Sequence, residues 1–176
     1  MNFTELANKR QSCRKYNPDK DIDDSILLEI LETANLSPSA CNGQPYRITV
    51  AKGNKAKAIA KETTGMGMNK FTADAPVMIV ISEDEYVKTA ALGAKLKGND
   101  YRSMDIGIYS AFLTLKAAES GLGTCILGWF DDKKIRTICN ISTPVRMVIA
   151  MGYPADDDCI RAKKRKALND IVSFCE

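Results

Sequence analysis

Histidine is absent from this 176-residue sequence, and tryptophan occurs once. Without an imidazole, the chain cannot form a Ser-His or Cys-His catalytic dyad or an imidazole site for zinc. It also lacks the side chain that most often acts as a general base near neutral pH. Any difficult chemistry must therefore come from carboxylates, amines, backbone dipoles or a bound cofactor.

Long apolar runs and paired cysteines are also missing. No stretch approaches the roughly 20 apolar residues of a membrane-spanning helix. The N-terminal residues MNFTELANKR form an amphipathic pattern without the apolar core of a signal peptide. We therefore predict a soluble, cytoplasmic protein with no membrane partner. The six cysteines occur singly, without a C-x-x-C pair, which favours packing or surface thiols over a disulfide framework or a metal site.

Positive charge is concentrated in one short segment. The net charge is +3, yet five of the six residues in RAKKRK, residues 161–166, are basic, and the rest of the chain has 20 basic and 22 acidic residues. A general nucleic-acid binder more often spreads basic residues over a whole face, with aromatic side chains between them. The composition therefore argues against a nucleic-acid partner, and a nucleic-acid- or partner-binding module that uses this segment is kept as an alternative.

Apolar periodicity predicts a chain of five helices and four strands. Asn2 and Glu5 have the spacing of a capping box, and a second helix begins at Asp23 or Asp24. In chain order, the predicted elements are a helix from Asn2, a helix ending near Asn35, a strand at 46–51, a helix at 54–63, a strand at 75–82, a helix at 103–120, a strand at 124–130, a helix at 132–140 and a strand at 145–154. Residues 83–103 show no clear pattern. Because helices and a sheet bury one another, this order predicts one domain over residues 1–176, with helices on a central sheet and an extended tail.

The predicted helix at 103–120 has almost no polar face. Asp105 and Lys116 are its charged residues before Glu119. A small monomer rarely leaves so much apolar surface exposed. We therefore expect a second subunit to cover part of this helix.

Three glycine-rich segments resemble nucleotide-binding loops only superficially. GLGTCILG, residues 121–128, lacks the third glycine of the dinucleotide fingerprint and lies between a helix and a strand, which reverses the required order. GMGMNK, residues 65–70, also lacks the third glycine, and GAKLKGND, residues 93–100, has Asn99 where a P-loop needs lysine. The sequence therefore predicts neither a Rossmann site nor a P-loop.

Two other segments carry more polar chemistry than their positions require. RQSCR places Arg10, Ser12 and Arg14 at alternate positions, so an extended backbone would direct them to one side. Guanidinium pairs bind phosphate and carboxylate well, although a solvated charged loop is the plainer alternative. SPSACNGQPYRITV, residues 37–50, has more turn-forming residues than a short turn needs, and its plainer alternative is a Ser-rich turn before an edge strand.

Five segments in chain order together resemble the landmarks of a known family. They are RQSCRKY, SPSACNGQPYRITV, APVMIVI, DIGIYSAFLTLKAAESGLGTCILGWFD and GYPADDDCIRAKKRKALNDIV. Over nearly its whole length the chain is similar to the nitroreductase family of FMN-dependent NAD(P)H oxidoreductases. The resemblance implies an α+β fold, a three-layer α/β/α sandwich with a mostly antiparallel central sheet. It also implies a homodimer with FMN at the interface and a C-terminal tail that reaches onto the partner subunit.

The resemblance assigns residues of both chains to the FMN site. Arg10 with Lys163 or Arg165 would hold the phosphate, Ser12 would contact the ribityl or phosphate side, and Arg14 would approach the N1 and C2-carbonyl edge of the ring. The cofactor contacts implied from one chain are Arg10, Ser12, Arg14, Leu127, Gly128, Lys163 and Arg165, and those from its partner are Pro38, Ser39, Ala40, Asn42 and Gln44.

The implied reaction takes its redox chemistry from the cofactor, which suits a chain without histidine. NADH or NADPH would transfer a hydride to N5 of FMN, and a nitroaromatic, a quinone or a similar small acceptor would then take the electrons in a ping-pong cycle. A cation beside N1 stabilises the negative charge that develops there. Arg14 and the backbone N–H near Gly128 are therefore the predicted catalytic groups. A flavin reductase or an ene-type reductase on the same scaffold is the alternative.

The chain departs from the family pattern at three places. Tyr46 stands where many members have tryptophan. A second cation near the ring has no clear match, and the sequence does not decide whether Asn69 or Lys70 reaches the flavin. Residues 83–103 are short for a lid over the substrate, so the site is expected to be open.

Overall fold

An antiparallel sheet with helices on both faces forms the centre of the molecule. The computed structural model describes residues 1–175. Within that range the helices are α1 (Phe3–Lys9), α2 (Asp24–Ala34), α3 (Gly53–Glu62), α4 (Lys88–Lys97), α5 (Tyr101–Glu119) and α6 (Asp132–Cys139). The strands are β1 (Tyr46–Lys52), β2 (Val77–Glu83), β3 (Gly123–Leu127) and β4 (Val145–Gly152).

The sheet separates two apolar cores. The strand order is β1-β2-β4-β3, and each neighbouring pair of these described strands is antiparallel. Because β2 is a central strand, every residue from Val77 to Ile81 is apolar and fully buried. One face of the sheet packs against α2 and α5, and the other packs against α3 and α6. The predicted three-layer α+β sandwich is therefore confirmed.

Local sequence signals fix several helix ends. Asn2 and Glu5 form the two reciprocal capping-box hydrogen bonds, each 2.9 Å, at the start of α1. The Asp131 side chain accepts a hydrogen bond from the Lys134 N–H at the start of α6. Gly121 follows α5 with a φ of 81°, which glycine adopts without steric cost. β2 begins at Val77, two residues later than predicted, after Pro76, which has no N–H to donate to a sheet.

The helix α4 lies inside the segment whose sequence showed no clear pattern. Ala90 is its buried residue, whereas Leu92 and Leu96 are exposed. The helix therefore has no continuous apolar stripe, and it is this stripe that reveals most helices in a sequence. The left-handed conformation of Gly98, with a φ of 67°, ends the helix.

The long helix α5 is buried on one side only. Its outer side exposes Met104, Ile108 and Phe112, whose exposed fractions are 54%, 37% and 38%. One chain therefore leaves an apolar side of α5 uncovered, and cover by a second subunit stays a prediction. Among residues 1–175, no helix combines the length and apolar character needed to cross a bilayer.

Gly152, at the end of β4, lies where the N-terminal segment packs on the sheet, so a substitution there tests this packing. A Cβ at this position would lie 2.7 Å from Pro76 Cδ and 2.9 Å from Tyr16 Cδ1. We expect Gly152→Ala to lower the free energy of unfolding by about 1–3 kcal/mol, because overpacking displaces neighbouring groups. Gly107→Ala is the control without overpacking, since a Cβ on Gly107 meets nothing within 4 Å, and inside α5 it should raise the free energy of unfolding by about 0.5–1 kcal/mol. Urea unfolding of the apo-protein measures both variants, and parent-like unfolding of Gly152→Ala would contradict the packing described.

Candidate functional site

The N-terminal segment at residues 10–14 runs beside the edge strand β3. The Cys13 N–H donates a 2.9 Å hydrogen bond to the Thr124 carbonyl, and Ser12 and Thr124 form a parallel bridge. Cys13 is buried against Gly123, where an added Cβ would lie only 2.6 Å from the Cys13 Sγ. Burial raises the pKa of Cys13 to about 12, so this thiol stays protonated near neutral pH. Cys13 points inward and Arg14 is exposed, as an extended backbone requires.

The C-terminal tail folds back onto the same segment. The Arg161 guanidinium donates a 2.6 Å hydrogen bond to the Ser12 carbonyl and pairs with Asp158 at 2.8 Å. The Lys163 ammonium group donates to the Arg10 carbonyl. These contacts bring residues that are about 150 positions apart into one cationic cluster, which consists of Arg10, Arg161, Lys163 and Arg165.

Three members of this cluster line a cavity of about 560 Å³. Its other walls come from α1, from the outer side of α5 and from β3. Gly107, Ala111 and Ile126 provide small or apolar surface in it. The complete lining consists of Phe3, Thr4, Ala7, Asn8, Arg10, Gly107, Ala111, Thr114, Leu115, Ile126, Lys163 and Arg165.

The charges around the cavity favour the binding of an anion. None of its lining residues is acidic. Burial, followed by the charges of Arg10, Arg165 and Arg161, lowers the pKa of Lys163. Within residues 1–175, the guanidinium groups of Arg10 and Arg14 have neither a hydrogen bond nor an ion pair to the chain. Unpaired cations without a facing carboxylate attract a phosphate or another anion.

Arg14 lies close to β3. Burial raises the pKa of the Cys125 thiol, and the positive charge of Arg14 partly offsets this shift. Leu127 ends the strand with its side chain buried, so this residue can offer only its backbone to a ligand. Gly128 follows at an exposed position where a Cβ would meet nothing within 4 Å. Arg14 and Gly128 therefore lie along the same edge strand, Arg14 beside Cys125 and Gly128 just after the end of β3.

The loop at residues 38–44 lies elsewhere in the chain. It connects α2 to β1, and its Ala40 N–H donates a 3.0 Å hydrogen bond to the Asp105 carboxylate in the first part of α5. Inside the loop, the Ser39 hydroxyl accepts from the Gln44 N–H at 3.1 Å, and the Gln44 amide donates to Asn42. The loop is thus held by its own hydrogen bonds and by one hydrogen bond to α5.

Within one chain, the structure does not unite the two sets of predicted cofactor residues. Arg10, Lys163 and Arg165 share the 560 Å³ cavity, whereas the other predicted residues of the same chain do not line it: Ser12, Arg14, Leu127 and Gly128. Pro38, Ser39, Ala40 and Asn42 do not line it, and Gln44 lines a separate cavity of about 470 Å³ beside Tyr46. This separation is what a site built from two chains requires, and that arrangement stays a prediction.

The turn at residues 65–70 lies against Trp129, next to Gly128. The Trp129 indole donates a 2.9 Å hydrogen bond to the Gly65 carbonyl. The Asn69 amide donates to the carbonyls of Thr63 and Trp129, so its donors already serve this turn. Lys70 is exposed. Whether either residue reaches a flavin stays open.

Several residues of this region escaped the sequence predictions. Gly107 and Ala111 form a small-residue stretch one turn apart on the outer side of α5, a spacing that could have indicated a surface for close approach. The sequence alone identifies Asp105 only as one of the few charges in an apolar helix. A buried carboxylate in that setting is itself a signal, because it needs a partner.

Comparisons with known proteins identify the family. The sequence model described as the nitroreductase family matches residues 7–153. The chain is similar to an NADH dehydrogenase from Thermus thermophilus, with 28% identity, covering 86% of each chain. Its fold matches a nitroreductase family protein from Streptococcus pneumoniae TIGR4 with a TM-score of 0.84 at 24% identity, covering 99% of this chain and 100% of the other. It also matches an FMN-dependent nitroreductase from Clostridium difficile R20291 with a TM-score of 0.79 at 25% identity, covering 99% of each chain. The chain belongs to the nitroreductase family.

Proposed function

We propose that two copies of this chain bind FMN between them and reduce a nitroaromatic, a quinone or a similar small acceptor with electrons from NADH or NADPH. The observation that carries the proposal is the cavity in which Arg10, Lys163 and Arg165 meet without an acidic neighbour. Family membership supplies the class of reaction. The FMN-dependent nitroreductase from Clostridium difficile supports the choice of cofactor.

The residues of the cavity fit FMN. A phosphate ester carries close to two negative charges at neutral pH, and three cations without a facing carboxylate can neutralise it. The volume of about 560 Å³ lies within the range of roughly 300–1,000 Å³ that is usual for small-molecule sites. Gly107, Ala111 and Ile126 supply the apolar wall that a flat, largely uncharged ring system needs.

Each predicted residue then has a definite task. Arg10, Lys163 and Arg165 would hold the phosphate, and Ser12 would contact the ribityl chain or the phosphate side. Arg14 would place a positive charge beside the ring, where it would stabilise the negative charge that develops during reduction. Bound FMN would supply the hydride chemistry, accepting from NADH or NADPH and then donating to the second substrate in a ping-pong cycle.

The second chain of the proposed dimer contributes the loop at residues 38–44 and covers the outer side of α5. The C-terminal tail supports this arrangement, because it exposes Leu168, Ile171 and Phe174 in the single chain. The exposed fraction of Phe174 is 91%. Exposed apolar surface of this extent is typical of an interaction site. Pro38, Ser39, Ala40, Asn42 and Gln44 would line the ring from that side.

The visible spectrum of the purified protein tests the function most simply. We expect a yellow protein whose flavin absorbance is bleached by NADH or NADPH under anaerobic conditions. Steady-state rates with a nitroaromatic, a quinone, an enone and free FMN then distinguish a nitro- or quinone reductase from an ene-type or a flavin reductase. A colourless protein that shifts DNA or RNA in a salt-dependent way would instead support the nucleic-acid-binding alternative.

Charge on the outer side of α5 should disrupt the dimer. We expect Ile108→Glu to shift the protein from dimer to monomer in sedimentation velocity, because a carboxylate buried in an apolar interface loses its hydration without gaining a partner. Thr137→Glu, on the exposed side of α6, introduces the same charge elsewhere and should leave the dimer intact. A dimeric Ile108→Glu protein at the same concentration would place the interface elsewhere.

A further inference from the structure

We infer that Asp105 is a positioning residue, which holds the loop at residues 38–44 in the conformation that contacts FMN. The inference rests on the function proposed above, since it concerns the partner's half of the same site. It assigns a role to a residue of α5 that would not touch the cofactor.

The hydrogen bond from the Ala40 N–H to the Asp105 Oδ1, at 3.0 Å, is a specific tether. Within residues 1–175, it is the one hydrogen bond that joins residues 38–44 to a residue distant in the sequence. The remaining hydrogen bonds of the loop are local. Those between Ser39 and Gln44 and between Gln44 and Asn42 lie inside it, and the Tyr46 N–H at the start of β1 donates to the Gln44 carbonyl. Without Asp105, no hydrogen bond among the described residues would hold the loop to α5, and the contact of Val87 on Gly43 would relate it only to the start of α4.

The backbone of this loop needs an external tether. Cys41, Asn42 and Gln44 have φ values of 52°, 52° and 44°, in the left-handed region that favours glycine. Each such residue other than glycine costs on the order of 1–3 kcal/mol and persists only when its surroundings enforce it. The hydrogen bond from Ala40, immediately before Cys41, acts at the point where the chain enters this strained stretch.

Stability alone does not account for a carboxylate at position 105. Asp105 is only 3% exposed, and its second oxygen, Oδ2, is buried with no hydrogen-bond partner among the described residues. A buried carboxylate with an unsatisfied oxygen carries a large desolvation cost, which an apolar residue on this helix would avoid. Asp105 therefore fits a residue whose benefit lies in the loop that it orients.

Titration of the apo-protein with FMN, followed by quenching of flavin fluorescence, tests the inference. We expect Asp105→Ala to raise the Kd for FMN about tenfold, the effect of losing one hydrogen bond to a charged group. Asp105→Asn keeps an oxygen that can accept from Ala40 and should bind within about twofold of the parent. Asp100→Ala is the matched control, because Asp100 caps the same helix through Ser103 and makes no contact with the loop. It should lower the thermal midpoint and leave the Kd unchanged.

Ala40→Pro removes the donor without changing Asp105, and it keeps the test valid if Asp105→Ala does not fold. Ser39 is extended, with φ −143° and ψ 158°, which the residue before a proline tolerates. We expect Ala40→Pro to weaken FMN binding as Asp105→Ala does, and the double variant to be no weaker than either single one.

The possible outcomes separate this inference from the proposed function. If the parent protein does not bind FMN, the proposed function fails. If the parent binds FMN and Asp105→Ala binds equally well, only the role of Asp105 is overturned. The role of Asp105 would also be overturned if Asp105→Asn or Asp100→Ala weakened FMN binding as much as Asp105→Ala does. Additive losses of FMN affinity in the double variant would overturn it as well.

Discussion

Arg10→Ala is expected to weaken FMN binding about 10- to 100-fold. Arg10 is a cation of the 560 Å³ cavity whose guanidinium has no partner within residues 1–175, so its interaction with a phosphate replaces nothing in the folded chain. A hydrogen bond to a charged group contributes about 1.5–3 kcal/mol, which corresponds to this range of Kd. Fluorescence titration of the apo-protein with FMN measures the change, and the parent should lose affinity more steeply with ionic strength than the variant.

Lys133→Ala provides the control for net charge in that titration. Lys133 is exposed on α6 and lies outside the cationic cluster. Its removal changes the net charge by the same amount and should leave the Kd for FMN unchanged. Equal losses in the two variants would mean that overall charge, rather than the cluster at the N-terminal segment, attracts the cofactor.

Arg14→Ala is expected to act on the rate instead of on binding. At saturating FMN, we expect flavin reduction by NADH or NADPH to be about 10- to 100-fold slower. Removing one preorganised group that stabilises developing charge costs roughly 100- to 1,000-fold in enclosed sites, and the exposure of Arg14 reduces that effect. The flavin midpoint potential should become more negative, because the negative charge gained on reduction loses its neighbouring cation.

Anaerobic stopped-flow mixing with each nicotinamide measures this rate. Lys15→Ala is the matched control, because Lys15 is the adjacent exposed cation and pairs with Asp157 instead of facing β3. The flavin bound to Lys15→Ala should be reduced at the same rate as that of the parent protein. An Arg14→Ala protein that is saturated with FMN and reduces as fast as the parent would remove Arg14 from the mechanism.

The fold could be predicted largely from local pattern. The continuous apolar run in β2, the Asn2–Glu5 capping box and the glycine after α5 each specify an element through chemistry within a few residues. The helix α4 could not be predicted in this way. Its leucines are exposed, and its conformation depends on neighbours such as the loop at residues 38–44 instead of on a stripe of its own.

The candidate site was less accessible from the sequence, because its parts meet only in three dimensions. Arg10 and Lys163 are separated by 153 residues, and no periodicity in the tail predicts that the lysine returns to the arginine carbonyl. The prediction that Arg10 and Lys163 share a phosphate site rests on the family resemblance and not on residue spacing. The role inferred for Asp105 needed the structure itself, since a single carboxylate in an apolar helix has many explanations until its partner is seen.

The central claim is that two copies of the chain jointly bind FMN through the cationic cluster of one and the loop of the other. Size-exclusion chromatography with light scattering and flavin absorbance, after reconstitution with excess FMN, tests it directly. The account predicts a dimer that retains two FMN molecules. A folded protein that retains no FMN, or a monomer that retains it, would contradict the claim.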